Sequence, residues 1–275
     1  MRNPRNRLVL VALASAALPA AVCAQLRPLE PTPSRLFLES GNWSAELGGA
    51  RLLDQRASLA GEVGNLWEAG NFTVAWRTGR VILEAAGTAQ RFFHRTSTFN
   101  APHADVEPAT DGRRRDSGDY RLATTVRLTP YSWPLSGTIR FGTRLPTTDN
   151  TTGMDRDAVD FFATIGAARS WLHTAVAAEA GLGIHSTREQ NFEQDDLLLY
   201  SARAEYEIGG LIPSAAIVGQ KHGTGHSEIR GLEDLGEIRL GVRAGISRWV
   251  RVEYVKGYET FSPSNGFILT AGILR

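Results

Sequence analysis

The segment His222-Gly223-Thr224-Gly225-His226-Ser227-Glu228 gathers two imidazoles, a hydroxyl and a carboxylate in one short stretch. Two histidines and an acid can ligate a metal ion. A His-Ser-Glu set can supply the base, nucleophile and orienting acid of a hydrolase. The interleaved glycines are also those of an ordinary flexible loop. A second oxygen-rich cluster holds Asp149, Asn150, Gly153, Asp155 and Asp157. It lacks the Asp-x-Asp-x-Asp-Gly order of a calcium loop, and a solvated loop accounts for it. Neither cluster calls for a metal or another cofactor. Most of the remaining charged side chains are spaced two apart, and that spacing sets the elements that carry them.

From Ile238 to Ile246 every even position is apolar, while Glu237, Arg239 and Arg243 stand on odd ones. A period of two makes one strand face oily and the other charged. The pattern recurs through most of the chain. Phe267, Leu269, Ala271 and Ile273 form one face of the last strand, and Val250, Val252 and Tyr254 oppose Arg251 and Glu253 before it. Leu198 to Ile208, Leu172 to Ile184, Val159 to Ala167, Ile139 to Leu145, and Tyr120 to Leu128 alternate in the same way. Farther back, Val81 to Ala89, Phe72 to Trp76 and Trp43 to Leu47 continue it more weakly. Each segment runs about 10 residues, enough for a tilted strand to cross a bilayer.

The chain begins as an exported one. Arg2, Arg5 and Arg7 precede an apolar run from Leu8 to Val22, broken only by Ser15 and Pro19, and Val22-Cys23-Ala24 offers small residues for cleavage. Residues 1–24 therefore read as a signal peptide, residues 25–40, with Pro28, Pro31 and Pro33, as a periplasmic lead-in, and residues 41–275 as the folded domain. Cleavage removes the single cysteine, and with it any thiol chemistry. Removing the three leader arginines from 30 basic residues leaves 27 against 29 acidic ones, a net of −2. Nucleic acid is not a partner for such a surface. After Ala24 no long apolar run appears, which excludes a helical membrane protein and suits a barrel, whose alternate residues alone meet lipid.

The connections sort by length. Ser247-Arg248, Gly209-Gly210, Ser170-Trp171, Pro130 to Pro134 and Thr78-Gly79 read as short turns. Between them lie Ser262 to Asn265, Gly223 to Asp234, Ser186 to Asp195, Thr147 to Asp157 and the longest, Arg95 to Ser117. Outer-membrane barrels pair short periplasmic turns with long outer loops. The fold expected is an all-β, antiparallel, up-and-down transmembrane β-barrel of about twelve strands with both termini periplasmic. Trp133, Trp171 and Trp249 fall at the predicted periplasmic turns, where an aromatic girdle belongs.

With the apolar faces on lipid, the polar faces line the lumen. The candidate lumen residues are Glu84, Arg121, Arg127, Arg140, Arg144, Glu179, Arg203, Glu205, Arg239, Arg243, Arg251 and Glu253. Both signs interleave. They could select small polar solutes in a pore, or pair across it and fill it. The expected surroundings are outer-membrane lipid in a Gram-negative bacterium.

The stretch Arg140-Phe141-Gly142-Thr143-Arg144-Leu145-Pro146-Thr147, followed by Gly153-Met154-Asp155 and Asp160-Phe161-Phe162, resembles a group of outer-membrane barrels regarded as transporters, including one named for a phenol-degradation (meta) pathway. In that group a basic strand ends in Leu-Pro-Thr or Leu-Pro-Ser, a Gly-rich loop follows, and an Asp opens the next strand. The resemblance covers roughly residues 140–165 and implies the architecture and transport of an unidentified small solute. It assigns no catalytic residue. Two alternatives remain: a lipid hydrolase using His226 and Ser227 at the rim, or a structural or adhesive barrel working through its loops. Barrel lipid hydrolases with a His-Ser dyad carry Ser-Asn-Gly after the histidine, and here Glu228 and Ile229 follow Ser227.

Overall fold

Residues that alternate in type at a period of two can bury one face only by pairing into a sheet, and a sheet in lipid must have no open edge. The computed structural model describes residues 26–31, 41–155, 159–186, 194–223 and 230–275, so the signal segment expected over residues 1–24 lies outside the described residues. The strands are β1 (Trp43–Ala57), β2 (Glu62–Thr78), β3 (Val81–Thr98), β4 (Arg113–Asp116), β5 (Tyr120–Arg127), β6 (Ser136–Leu145) and β7 (Asp160–Trp171). They continue as β8 (Thr174–Ser186), β9 (Gln194–Tyr206), β10 (Leu211–His222), β11 (Leu235–Ala244), β12 (Arg248–Gly257) and β13 (Asn265–Leu274). Every pairing is antiparallel, and β1 closes the ring by pairing with both β2 and β13. β4 and β5 lie end to end against β3, β4 on Arg91 to His94 and β5 on Val81 to Gly87. They share one position, so the closed barrel has twelve strands.

The alternation divides the wall as expected. On β11, Leu240 is 54% exposed on the outside, whereas Glu237 is 0% exposed on the inside. The tight connections and both ends of the barrel chain share one rim: Arg275 O accepts from Trp43 N at 2.7 Å beside the Gly79, Gly209-Gly210 and Gly245 turns. The long connections share the other. The first strand begins at Trp43 as expected but continues to Ala57, and β2 and β3 are longer still. These three strands stand above the rest at the long-loop rim.

Three local expectations change. The turn expected at Ser170-Trp171 is made by Leu172 and His173, where Leu172 is 98% exposed with φ 49°. The segment Arg95 to Ser117 is not one loop, because β3 runs on to Thr98 and β4 returns against it. Trp249 is not a girdle residue. It is 4% exposed and packs inside with Ala75, Ile82 and Leu274, sharing the odd parity of Arg251 and Glu253, and Gly272 across the pair leaves room for its indole. Trp76, Trp133 and Trp171 are the exposed tryptophans at that rim.

Closure depends on small residues at the β1–β13 seam. A Cβ at Gly48 would collide with the Leu269 carbonyl oxygen, which is backbone and cannot move aside. Gly48→Val is expected to abolish the compact band that a folded barrel shows on an unboiled gel. Leu47→Val, on the lipid face of the same strand, is expected to keep it.

Candidate functional site: a charged lumen and the segment inside it

Inward-facing positions of twelve strands enclose a space too wide for their own side chains to fill completely. The described lead-in residues, Leu26 to Pro31, occupy that space, so along this stretch the lead-in is inside the barrel and not beyond its rim. Leu26 is 1% exposed and packs with Leu52, Leu66 and Phe93 of the wall. Leu59, Val106 and Met154, from three long-rim connections, belong to the same apolar cluster. Leu29 packs against Phe162, Leu197 and Leu199.

Charge positions the segment. The Arg27 guanidinium donates through Nε and Nη2 to the two carboxylate oxygens of Glu237 at 3.0 and 2.9 Å, and through Nη1 to Glu68 at 3.2 Å. This two-pronged geometry suits a planar guanidinium. Glu30 accepts from Arg239 Nη1 and Nη2 at 2.6 and 2.8 Å, and its carbonyl accepts from Arg140 at 2.9 Å. Arg239 also reaches Glu237 at 2.7 Å. Six residues of chain are thus tied to β2, β6 and β11 across the lumen.

The expected lumen residues fall into distinct surroundings. Arg140 pairs with Glu84 at 2.6 Å and Glu179 at 3.4 Å, and its guanidinium lies 5.4 Å from the Phe162 ring centre. Arg203 and Glu253 are bonded, Glu205 lies 3.4 Å from Arg203, and Arg251 joins Glu46 at 2.8 Å. Arg144 meets Asp119, Asp155 and Asp160 at 2.8, 3.2 and 2.7 Å. Arg121 borders the cavity that remains, about 200 Å³, together with Glu30, Glu84 and Arg251. Arg127 and Arg243 sit apart near the tight-turn rim, over the rings of Tyr131 and Trp249. His226, Ser227 and Glu228 lie outside the described residues, so the His-Ser cluster is not described. Among the described residues no group of three or more His, Cys, Asp or Glu side chains could hold a metal ion.

Sequence reasoning missed Arg27, Glu30, Glu68, Arg91 and Asp119 as lumen groups. A signal for an apolar object inside was present. At Phe92-Phe93, Phe161-Phe162 and Leu197-Leu198-Leu199 both strand faces are apolar, and the inward members are those that meet the segment and the folded-in loops.

No protein family's sequence profile matches the chain, and no curated protein matches it. Solved structures do, through fold alone. The COG4313 outer membrane channel from Pseudomonas putida F1 superposes at a TM-score of 0.59 with 12% identity, over 90% of this chain and 100% of that one. The β domain of the Bordetella autotransporter BrkA covers 86% of this chain and 100% of its own at 15% identity and a TM-score of 0.42. LpxR from Salmonella typhimurium covers 84% and 100% at 10% identity and 0.43. At those last two scores the likeness carries no argument. The fold is that of outer-membrane β-barrels, and the resemblance of residues 140–165 to the transporter group stands on those residues alone.

Asp155 belongs to the loop after β6 and turns inward onto Arg91 and Arg144. Burial, followed by the charge of Asp119, pushes its carboxyl up to about 8, against the pull of the two arginines. Arg144 already faces three carboxylates, so retaining one proton relieves the excess negative charge. An acid whose folded pKa is raised contributes most when protonated, and that contribution is lost as pH rises from near 3.8 towards 8. A spin label on Thr151→Cys is therefore expected to gain mobility over that window, and Asp155→Asn is expected to keep the loop ordered throughout.

Proposed function

We propose that this chain is an outer-membrane channel for small polar solutes, oriented with its tight turns and both barrel ends in the periplasm and its long loops outside. In this reading residues 1–24 are the cleaved signal peptide, and the segment around Arg27 and Glu30 sets how much passes. The observation that carries it is the ion-paired seat of that segment in a lumen walled by both signs of charge. A barrel that served only as a scaffold could fill its interior from the wall. Here the filling comes from a segment that precedes the first strand, held by the apolar seats of Leu26 and Leu29 and by polar contacts that water and ions can replace. The remaining cavity is bordered by charged groups such as Arg121, Glu84 and Arg251, which suits polar cargo. The partial match to the transporter group over residues 140–165 agrees with transport but names no solute.

Arg27→Ala removes the cation shared by Glu68 and Glu237, which keep Arg91 and Arg239. The change is therefore about 1.5–3 kcal/mol, the scale of hydrogen bonds to charged groups. Most of that falls on the seated state of the segment, because the strand ladder is untouched. In planar bilayers the wild-type barrel is expected to show small discrete conductance steps. Arg27→Ala, and deletion of residues 25–40, are expected to enlarge them several-fold. An ion-tight barrel even after the deletion removes the channel reading.

A further inference from the structure

The outside of the barrel carries an ordered row of a different kind. Arg115 on β4 pairs across to Phe92 on β3, Phe92 to Trp67 on β2, and Trp67 to Arg51 on β1. Arg51 then pairs with Phe267 on β13, and Phe267 with Tyr254 on β12. All six side chains point outward, and the four rings are exposed. Trp67 and Trp76 lie nine residues apart on β2. At ~3.4 Å per residue and a strand tilt near 40°, that separation is about 23 Å along the membrane normal, close to the height of a barrel's apolar band. Trp67 therefore lies near the hydrocarbon boundary on the long-loop side, opposite the Trp76 rim. Because paired residues run perpendicular to tilted strands, the row climbs from Tyr254 within the apolar band, past Arg51 and Trp67, to Phe92 and Arg115 at the long-loop edge of that band.

Cations at that boundary are held in a particular way. The Arg51 guanidinium lies 4.8 Å from the Trp67 ring centre and the Arg115 guanidinium 5.3 Å from that of Phe92. Ring stacking leaves the N–H edges of a guanidinium free for an oxyanion. Arg115 spends one N–H on Gln90 Oε1 at 3.1 Å. Arg113, opposite His94, stands on the same outward face one step beyond. Among the described residues Arg51, Arg113 and Arg115 have no carboxylate within ion-pair distance, whereas Arg27, Arg91, Arg140, Arg144 and Arg239 of the lumen are all paired.

We propose that Arg51, Arg113 and Arg115 form a strip that binds the phosphates of an anionic glycolipid in the long-loop-side leaflet. The guanidinium forks take the phosphate oxygens while Phe267 and Trp67, the cross-strand neighbours of Arg51, contact the acyl chains beside it. The assignment of that leaflet as the outer one rests on the orientation proposed above. The binding itself does not, and it is read on purified barrel independently of conductance.

Native mass spectrometry of the full barrel in neutral detergent tests this with a diphosphorylated acyl glycolipid, its dephosphorylated counterpart and inorganic phosphate. The phosphorylated lipid is expected to be retained, the dephosphorylated one to be lost, and inorganic phosphate at equal concentration not to displace it. Arg51→Gln, Arg113→Gln and Arg115→Gln together are expected to weaken retention about tenfold or more, on the scale of one or two charge-assisted contacts, with conductance unchanged. Equal retention by this variant and the wild type, or of both lipids, overturns the proposal. Displacement by inorganic phosphate also overturns it, in favour of a free-anion site. Should the triple variant fail to fold, Arg51→Gln and Arg115→Gln are read singly by the same criteria.

Discussion

In hydrocarbon no backbone N–H or C=O can be left without a partner, so a sheet that enters the membrane must close on itself. The pairing of β1 with β13 meets that requirement, and the rest of the molecule follows from it. Closure fixes an inside and an outside. Alternation then sends Leu240 and Phe267 to lipid and Glu237 and Arg239 to the lumen, since residues two apart share a face. Most of the lumen charges meet a partner of the opposite sign, while Arg127 and Arg243 lie over the rings of Tyr131 and Trp249 instead. Glu68 on β2 and Glu237 on β11 are both buried and both turned towards the same interior volume, and Arg27 is the cation between them.

Buried ion pairs of this kind are weak evidence for stability, because desolvation offsets much of the attraction. The strand ladder and the apolar cluster around Leu26, Leu52 and Phe93 hold the barrel. The ion pairs determine place. A segment with Arg and Glu three residues apart has one seat in which Arg27 faces Glu68 and Glu237 while Glu30 faces Arg239. Moving it by a residue would put Leu26 or Pro28 against Glu68 and Glu237, and moving it by three would bring Glu30 against them. The prevalence of arginine here has a physical use: the planar fork can join two carboxylates at once, as Arg27 and Arg144 both do.

The barrel was legible because its evidence is local. Alternation needs neighbours only two residues apart, and the sorting of loop lengths needs only counting. The inward place of Trp249 was legible too, from its parity with Arg251, but position near a turn suggested the girdle instead. The extension of β3 to Thr98 was hidden, because beyond the apolar band the outward face is polar and the contrast fades at His94 and Thr96. The contents of the lumen were not legible. Which charges meet across a barrel depends on shear and tilt, which no stretch of sequence displays. Leu26 to Pro31 is too short and too proline-rich to carry a period, and only the doubled apolar positions such as Leu197-Leu198-Leu199 hinted at it.

The path of the chain bears on how firmly that segment sits. The barrel begins at Trp43 on the tight-turn rim, while Leu26 belongs to a cluster with residues of the opposite rim, Leu59, Val106 and Met154. Eleven residues separate Pro31 from Trp43, a reach of at most ~40 Å, sufficient to connect the tight-turn rim to the middle of the lumen. The segment is therefore a tethered ligand, and its contacts compete with water at the effective concentration a short tether imposes, of millimolar order. Contacts that would be too weak between separate molecules suffice under that condition. The same tether means that displacement needs no loss of the segment from the barrel, only an exchange of the partners of Arg27 and Glu30 and release of Leu26 and Leu29 from their apolar seats. On the channel reading proposed above, the ionic part of that exchange falls on those two side chains and on Glu68, Glu237 and Arg239 opposite them.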